Sequence, residues 1–425
     1  MDTLSILKSA KTQPEEKEEI LHSFISRQPL SEISKILKDL PNLWPNVSIA
    51  RTTKIIKKIL KEIPQTEDTL HLINNLIDLY STKKLLKLEL ECRKVSLLLN
   101  LKQYSQCFIS ISSLLKELKK HDDKVNQISL YVYESIANYE IRNYSKAKSA
   151  LTSARALSVS TFCPSSLQAK IDKLSGMYLC LDKNYRTAYS YFLESIDSFL
   201  MEKMFFDAVI VARYLVLCGI VDGKKDLECV IRKVGEKIGT FKVTNEELTS
   251  YSKFISQNGN QKDNTSRTNF SCENLKNTST MKHSILTDLL NDKIINILLK
   301  IEKCSKDRDL LQYNTILTQN KDLLQDDPFL ITHLHVLYEK LLENNIIKIL
   351  ESYSSLKIDY VANKIGLTVD VVENKIRNMI LDGSVNGIID HVNRNYVLRK
   401  QVRRSEGDKE LMDMIDLFIA FTEKM

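Results

Sequence analysis

Glycine is scarce in this chain. Ten occur in 425 residues, and the first is Gly176. No Gly-rich phosphate loop can precede it, and neither the G-x-x-x-x-G-K nor the G-x-G-x-x-G pattern follows, which disfavours a nucleotide-binding α/β enzyme. Cysteine is present but unorganised. Cys92, Cys107, Cys163, Cys180, Cys218, Cys229, Cys272 and Cys304 are scattered without a C-x-x-C pair. They read as buried, small apolar residues of a reducing compartment, not as a disulfide or zinc framework. The seven histidines include no H-E-x-x-H motif, and no Ser/His/Asp set stands out. His333 and His335 lie two apart in a helical stretch, so they face different ways and are expected to be structural or superficial. No apolar run is long enough to span a bilayer, and the first twenty residues lack the apolar core of a signal peptide. The composition predicts no metal, no cofactor and no membrane partner.

What the chain does hold is apolar and charged residues in helical proportion. They make up 43% and 27% of it, with a net charge of +7. Spread over this length, that charge is a mild bias and does not by itself indicate a nucleic-acid partner. Three stretches align: KQYSQCFISI, RNYSKAKSAL and KNYRTAYSYF. Their tyrosines, Tyr104, Tyr144 and Tyr185, stand 40 and 41 residues apart. Three residues after each comes a small one (Cys107, Ala147, Ala188), and seven after each a larger apolar one (Ile111, Leu151, Phe192). Offsets of three and seven share a helix face. The small residue admits a neighbouring helix, and the tyrosine and the large residue are expected to fill the space around it. Each tyrosine follows another helical stretch: 84–101, 125–141 and 165–181. The unit is therefore a helical hairpin repeated about every 40 residues, the period of the solenoids in which a hairpin buries its face only against its neighbours. The array is expected to continue through 204–220 and 225–238.

Upstream, residues 52–63 (TTKIIKKILKEI) place Ile55, Ile56, Ile59, Leu60 and Ile63 on one side and Lys54, Lys57, Lys58 and Lys61 elsewhere. Such a basic amphipathic helix suits either a solvated solenoid face or an acidic partner. Composition breaks at 256–284, which is rich in Asn, Ser, Thr and Lys and too poor in aliphatics to offset chain entropy. Disorder is expected there. Helical patterning resumes near Ile285, and the apolar stripe from Leu334 to Leu350 is regular.

The stretch LDGSVNGIIDHVNRNYVL, 381–398, has two glycines within five residues and β-branched residues alternating with polar ones, the pattern of a β-hairpin. Before it, 359–365 ends at Gly366, a helix-stop signal. Thr368 is then expected to cap a helix over 369–381, with Asp370 and Glu373 in its first turn, where the helix dipole favours acids. Two helices and a hairpin make a winged helix. Between 358 and 398, four cations (Lys364, Lys375, Arg377, Arg394) meet five acids (Asp359, Asp370, Glu373, Asp382, Asp390), a net of −1. A helix that reads the major groove needs cationic and amide side chains, so a DNA-reading role is disfavoured. Only RKQVRR, 399–404, is strongly basic. Residues 405–425 then form an amphipathic pattern with Leu411, Met414, Ile415, Phe418 and Phe421 on one side, suited to packing among a partner's helices.

An all-α superhelical solenoid of TPR-like hairpins, a winged helix with a small hairpin wing, and a terminal helix form the arrangement of PCI-domain proteins. LLKELKKHDDK (114–124), KAKSALTSARA (146–156), KNYRTAYSYFLESIDSF (183–199), DDPFLITHLHVLYEKLLENNI (326–346) and MILDGSVNGIID (379–390) closely resemble one branch of them. It is the non-ATPase lid subunits of the 26S proteasome regulatory particle that clamp lid to core, subunit six of that set. The resemblance runs from about Leu86 to Leu398; 256–284 looks like an insertion that family lacks. Patterning and resemblance together divide the chain into five expected segments: a solenoid arm at 1–245, a polar insertion at 246–284, the helical part of a PCI domain at 285–355, the winged helix at 356–400, and a linker with the terminal helix at 401–425. The resemblance further implies a non-enzymatic scaffold of the cytoplasm and nucleus, acting in ubiquitin-dependent protein degradation. Its partners would be other PCI lid subunits through the winged helix, at Val385 and Ile388. The terminal helix would enter the lid's helical bundle through Leu411, Ile415 and Phe418. The arm, through Lys54, Lys57, Lys58 and Lys61, would meet the ATPase base and the α-ring of the core. The alternatives are a subunit of the signalosome, which shares the architecture, and a nucleic-acid-binding winged-helix protein.

Overall fold

A computed structural model describes residues 33, 49–62, 66–81, 83–224, 227–240, 292–325, 327–398 and 411–416. The sequence segments 256–284 and RKQVRR, and Phe418, lie outside the described residues. The chain divides into two compact units. The first runs to Cys218 and includes Val234–Ile285; the second takes Gly219–Lys233 and everything from Leu286.

The first unit holds the hairpin array, except for its stretch Gly219–Lys233. Helices α1 (Ile49–Glu62), α2 (Glu67–Leu79), α3 (Lys84–Asn100), α4 (Tyr104–His121), α5 (Lys124–Glu140), α6 (Tyr144–Ser160), α7 (Ser165–Leu181), α8 (Tyr185–Met201) and α9 (Phe205–Asp222) follow one another with very short connections, and α10 spans Leu227–Thr240. The three aligned tyrosines are the first residues of α4, α6 and α8. Cys107, Ala147 and Ala188 are fully buried, as are Ile111, Leu151 and Phe192 or nearly so. The tyrosines differ among themselves. Tyr185 is buried, but Tyr144 keeps 38% of its surface exposed and lies beside Tyr139 at 5.7 Å instead of filling the hairpin interface. A polar seam ties successive hairpins: Ser135 on α5 donates to the Ala147 carbonyl of α6 (2.9 Å) and meets the Tyr178 hydroxyl of α7 (2.5 Å). Each of these buried groups is thereby satisfied, which the interior requires.

The junctions explain how the array turns without glycine. At the end of α3, Lys102 adopts a left-handed conformation (φ 59°), its N–H bonds the Leu99 carbonyl, and the next N–H, of Gln103, bonds the Leu98 carbonyl. This is the paired closure of a Schellman turn. Gln103 is also the N-cap of α4. The left-handed residue and the following cap recur at Asp122–Asp123, Arg142–Asn143, Lys183–Asn184 and Lys203–Met204, and in the second unit at Arg308–Asp309. In four of these the cap's side chain accepts a backbone N–H of the new helix, from Asn126, Lys146, Thr187 and Leu311. Six of the seven described non-glycine residues with positive φ occupy this position. Such a backbone costs an L-residue about 1–2 kcal/mol. Five of the six are Lys or Arg, whose charge stands against the negative end of the helix just completed and offsets part of that cost.

Glycine is used where helices touch. A Cβ on Gly176 of α7 would lie 2.6 Å from Cε1 of Phe192 on α8, a ring with no exposed surface to retreat into.

In the second unit, α11 (Lys293–Asp307), α12 (Leu310–Gln319) and α13 (Lys321–Gln325) precede the long α14 (Pro328–Leu350). Asp327 caps α14 through the Phe329 N–H, and Pro328 sits at its first turn, where the missing N–H is harmless. His333 is buried against Phe329, 4.4 Å between rings, and burial lowers its pKa to about 4; His335 on the neighbouring face is exposed. The Tyr313 hydroxyl on α12 donates to the Leu334 carbonyl of α14. The winged helix follows: β1 (Ser355–Lys357), α15 (Ile358–Ile365), α16 (Val369–Leu381), β2 (Gly387–Asp390) and β3 (Asn395–Leu398). Its sheet has three antiparallel strands in the order β1-β3-β2, one strand more than the expected hairpin.

Two stability outcomes follow. Gly176→Ala should overpack the α7–α8 contact and cost about 1–3 kcal/mol in urea or thermal unfolding. At Arg142, glycine should be neutral or stabilising and valine should cost about 1–2 kcal/mol. Equal melting of the two Arg142 variants would show that the left-handed junction stores no strain.

Candidate protein-docking site

The wing forms for reasons other than its glycines suggest. Gly383 (φ 73°) ends α16, its N–H bonding the Ile380 carbonyl and the Ser384 N–H the Met379 carbonyl. Gly387 opens β2, where a Cβ would fall 2.1 Å from the ring of Tyr396. Neither glycine makes the hairpin turn. That turn is His391–Arg394, closed by Asp390. Its Oδ1 accepts the Val392 N–H and, more weakly, the Asn393 N–H, and its Oδ2 accepts the Asn393 amide. The Asn393 side chain and backbone hold the Asp390 carboxyl below its ordinary pKa. Arg394 then takes the left-handed conformation, φ 50°.

Register decides which side chains face out. Leu356, Tyr396 and Ile389 are aligned across the sheet, and Tyr396 is fully buried with its hydroxyl donating to the Asn386 carbonyl. The alternate row is Ser355, Val397 and Ile388. There Ile388 is 60% exposed and Val397 42%. β2 pairs with β3 on one side only, so its other side is an edge within the sheet.

Val385 does not belong to that row. It is buried and lies before β2, and its N–H already bonds the Met379 carbonyl at the end of α16. The expectation that Val385 lies in the strand that docks a neighbour is therefore corrected: the strand starts two residues later, and Val385 anchors the α16–β2 connection. Ile388 does occupy the exposed edge strand.

Helix α16 is the element that would read DNA. Val372, Ile376 and Met379 bury its inner face, Ile380 is half-buried, and Thr368 stands at the N-cap without a side-chain cap bond. Asp370 lies in the first turn, but Glu373 lies beyond it and is buried, so its role is not to cap the dipole. Glu373 Oε1 instead accepts from Arg377 Nη2 and meets His391 Nδ1 in the wing turn, each at 2.9 Å. One buried carboxylate thus ties the wing to the helix. Lys375 is held by Glu339 and by Glu343 (2.9 Å), both on α14. Burial works against the Lys375 charge, but the bonds from these two carboxylates outweigh it and raise the pKa. Lys364 lies over the Tyr360 ring. The outward residues of α16 are then Asp370, Val371, Asn374, Arg377, Asn378 and Leu381, with the single cation already engaged.

The remaining sequence candidates lie elsewhere. In the first unit, Ile55, Ile56, Ile59 and Leu60 of α1 are buried, and Lys54 and Lys58 are exposed on the other side. The side chains of Lys57 and Lys61 lie outside the described residues. In the second unit, residues 411–416 are helical, with Leu411, Met412, Met414 and Ile415 all exposed. Among the described residues no cluster of three or more His, Cys, Asp or Glu could hold a metal ion, and no helix is long and apolar enough to cross a membrane.

Comparison with known proteins now bears on this geometry. Residues 317–400 match the PCI domain model, which takes in the last turn of α12, all of α13 and α14, and the winged helix. The 26S proteasome non-ATPase regulatory subunit 11 of Dictyostelium discoideum is 29% identical over 366 residues, covering 84% of this chain and 76% of that protein. The 26S proteasome regulatory subunit RPN6 of Saccharomyces cerevisiae is 27% identical, covering 81% and 70%. The subunit 11 homolog of Arabidopsis thaliana is 28% identical, covering 84% and 75%. The chain thus carries a PCI domain at 317–400, and its similarity to the 26S proteasome non-ATPase regulatory subunit 11, or RPN6, proteins extends well beyond that domain into the hairpin array.

Proposed function

We propose that the chain is a non-catalytic scaffold subunit of the proteasome regulatory particle lid, which holds lid, ATPase base and core particle together in ubiquitin-dependent degradation. The observation that carries this reading is the extent of the similarity. It spans 366 residues, hairpins and winged helix together, with a protein named as a proteasome regulatory subunit. A shared winged helix alone would have left the signalosome equally open; the named relatives favour the lid. The charge pattern of the winged helix supports protein over nucleic acid as partner. Lys375 and Arg377 spend their charge on Glu339, Glu343 and Glu373, so few cations remain to neutralise phosphates.

Three surfaces divide the work in this reading. Neighbouring PCI subunits dock laterally on the β2 edge and on Ile388 and Val397. The terminal helix enters the lid's helical bundle with Leu411, Ile415 and Phe418. The arm meets an acidic surface of base or core through Lys54, Lys57, Lys58 and Lys61. Such a subunit would work in cytoplasm and nucleus, where proteasomes degrade ubiquitin-linked substrates.

The test is reconstitution. Ile388→Lys should leave the protein folded, since the side chain is mostly exposed, and should weaken lateral docking at least tenfold, about 1.4 kcal/mol. Normal lid assembly by that variant would remove the wing from the interface. Reversing Lys54 and Lys58 to Glu should spare lid assembly and weaken lid association with core and base, most at low salt, because screening already mutes surface charge at high salt. An identical salt profile for parent and variant would return α1 to a merely solvated face.

A further inference from the structure

One pair of groups is not used by any of these surfaces. Cys180, near the end of α7, and Cys218, near the end of α9, bring their sulfurs to 3.2 Å, and both side chains are essentially buried. They sit 38 residues apart, on the first helices of two successive hairpins. The helices are held side by side near this point, because Lys173 of α7 also lies over the Tyr214 ring of α9. Residue numbers rise together along the two contacts, 173 with 214 and 180 with 218, so the helices run parallel. Tyr185 is close by: burial, followed by the influence of the two cysteines, pushes its phenol up to about 12. Two thiols at this distance, on elements already in contact, need only a small approach to reach bonding distance.

We propose that Cys180 and Cys218 are a redox-responsive dithiol that a peroxide converts to a disulfide, locking α7 to α9 and so one hairpin of the array to the next. The chemistry balances in two steps. One thiol gives two electrons to hydrogen peroxide, becoming a sulfenic acid and releasing one water. The second thiol attacks that sulfur; the S–S bond forms, the S–OH bond breaks, and the hydroxyl leaves with the thiol proton as a second water. Burial slows the first step, since reactive cysteines are usually accessible. The second step is intramolecular between neighbouring atoms and therefore outruns over-oxidation. A small-molecule dithiol reverses the reaction by exchange.

The full-length protein, freed of reductant, is treated with increasing hydrogen peroxide while circular dichroism monitors the fold. It is then denatured, alkylated, digested and mapped by mass spectrometry. The expected result is a peptide pair joined through Cys180 and Cys218, lighter than the sum of its reduced halves by two hydrogens. It should be released by dithiothreitol, and absent in Cys180→Ala and Cys218→Ala. The exposed Cys229 serves as the internal gauge of oxidant exposure. Should Cys229 oxidise while Cys180 and Cys218 are recovered alkylated, or as sulfonic acids, the proposal fails. It fails equally if the link appears only in unfolded protein. The mapping is done on the parent chain, so the outcome stands even where an alanine variant does not fold.

Discussion

The array depends on one backbone device, the left-handed residue followed by a cap. A helix that stops in water leaves four carbonyls without partners, and the helix that follows leaves four N–H groups in the same state. At Lys102–Gln103, Arg142–Asn143 and Lys183–Asn184 two residues serve both ends at once. Both donate their N–H to carbonyls of the old helix, and the second is also the N-cap of the new one. Because the connection is so short, the next helix must run back antiparallel, and the side chains just after the cap enter the hairpin interface in fixed register. Cys107, Ala147 and Ala188 each stand fourth in their helix for that reason. The strain at the junction is accepted because the array repeats it with cations that favour a helix C-terminus.

The winged helix shows a similar economy with charge. A net of −1 leaves open whether its cations are free. The structure shows that Lys375 fastens α16 to α14 and that Arg377 shares the buried Glu373 with the wing turn. These pairs act between elements and fix the relative placement of α14, α16 and the turn at 391–394. Surface pairs usually contribute little. Glu373 and Lys375 are largely covered, however, and removing one partner would strand a buried charge. A module whose charges are spent on holding itself together presents a stiff surface of small apolar patches, which suits docking to protein.

Much of this was legible in the sequence, and the exceptions have physical causes. The hairpin period, the spans of α3, α5 and α7 and the winged-helix order were readable because side-chain size repeats at helical offsets. The junction conformation was not, because sequence signals for a left-handed residue rest on glycine and asparagine, and this chain uses lysine and arginine. The hairpin was inferred from Gly383 and Gly387, but these serve a helix end and the Tyr396 ring. The turn itself is carried by Asp390 and Asn393, a weaker signal. β1 escaped notice because three residues are too few to show alternation. Val385 was misplaced because alternation alone does not tell where a strand begins: the Met379 carbonyl still claims its N–H.

The sheet's two edges are unlike, and that asymmetry says which of them is available. β1 has three residues, carries Lys357, and passes directly into α15. Shortness and a lysine are the means by which sheets discourage unwanted pairing. β2 has neither safeguard at its centre. Its four residues span about 13 Å, Ile388 points outward, and the one acid, Asp390, has its carboxylate engaged in the turn. Edge strands left open and apolar are a hazard for a protein that works alone, since any extended chain can add to them. In an assembly the same edge supplies backbone hydrogen bonds for affinity and Ile388 with Val397 for selectivity. Under the scaffold role proposed above, the shape of this sheet therefore favours β2 over β1 as the edge for a neighbouring subunit.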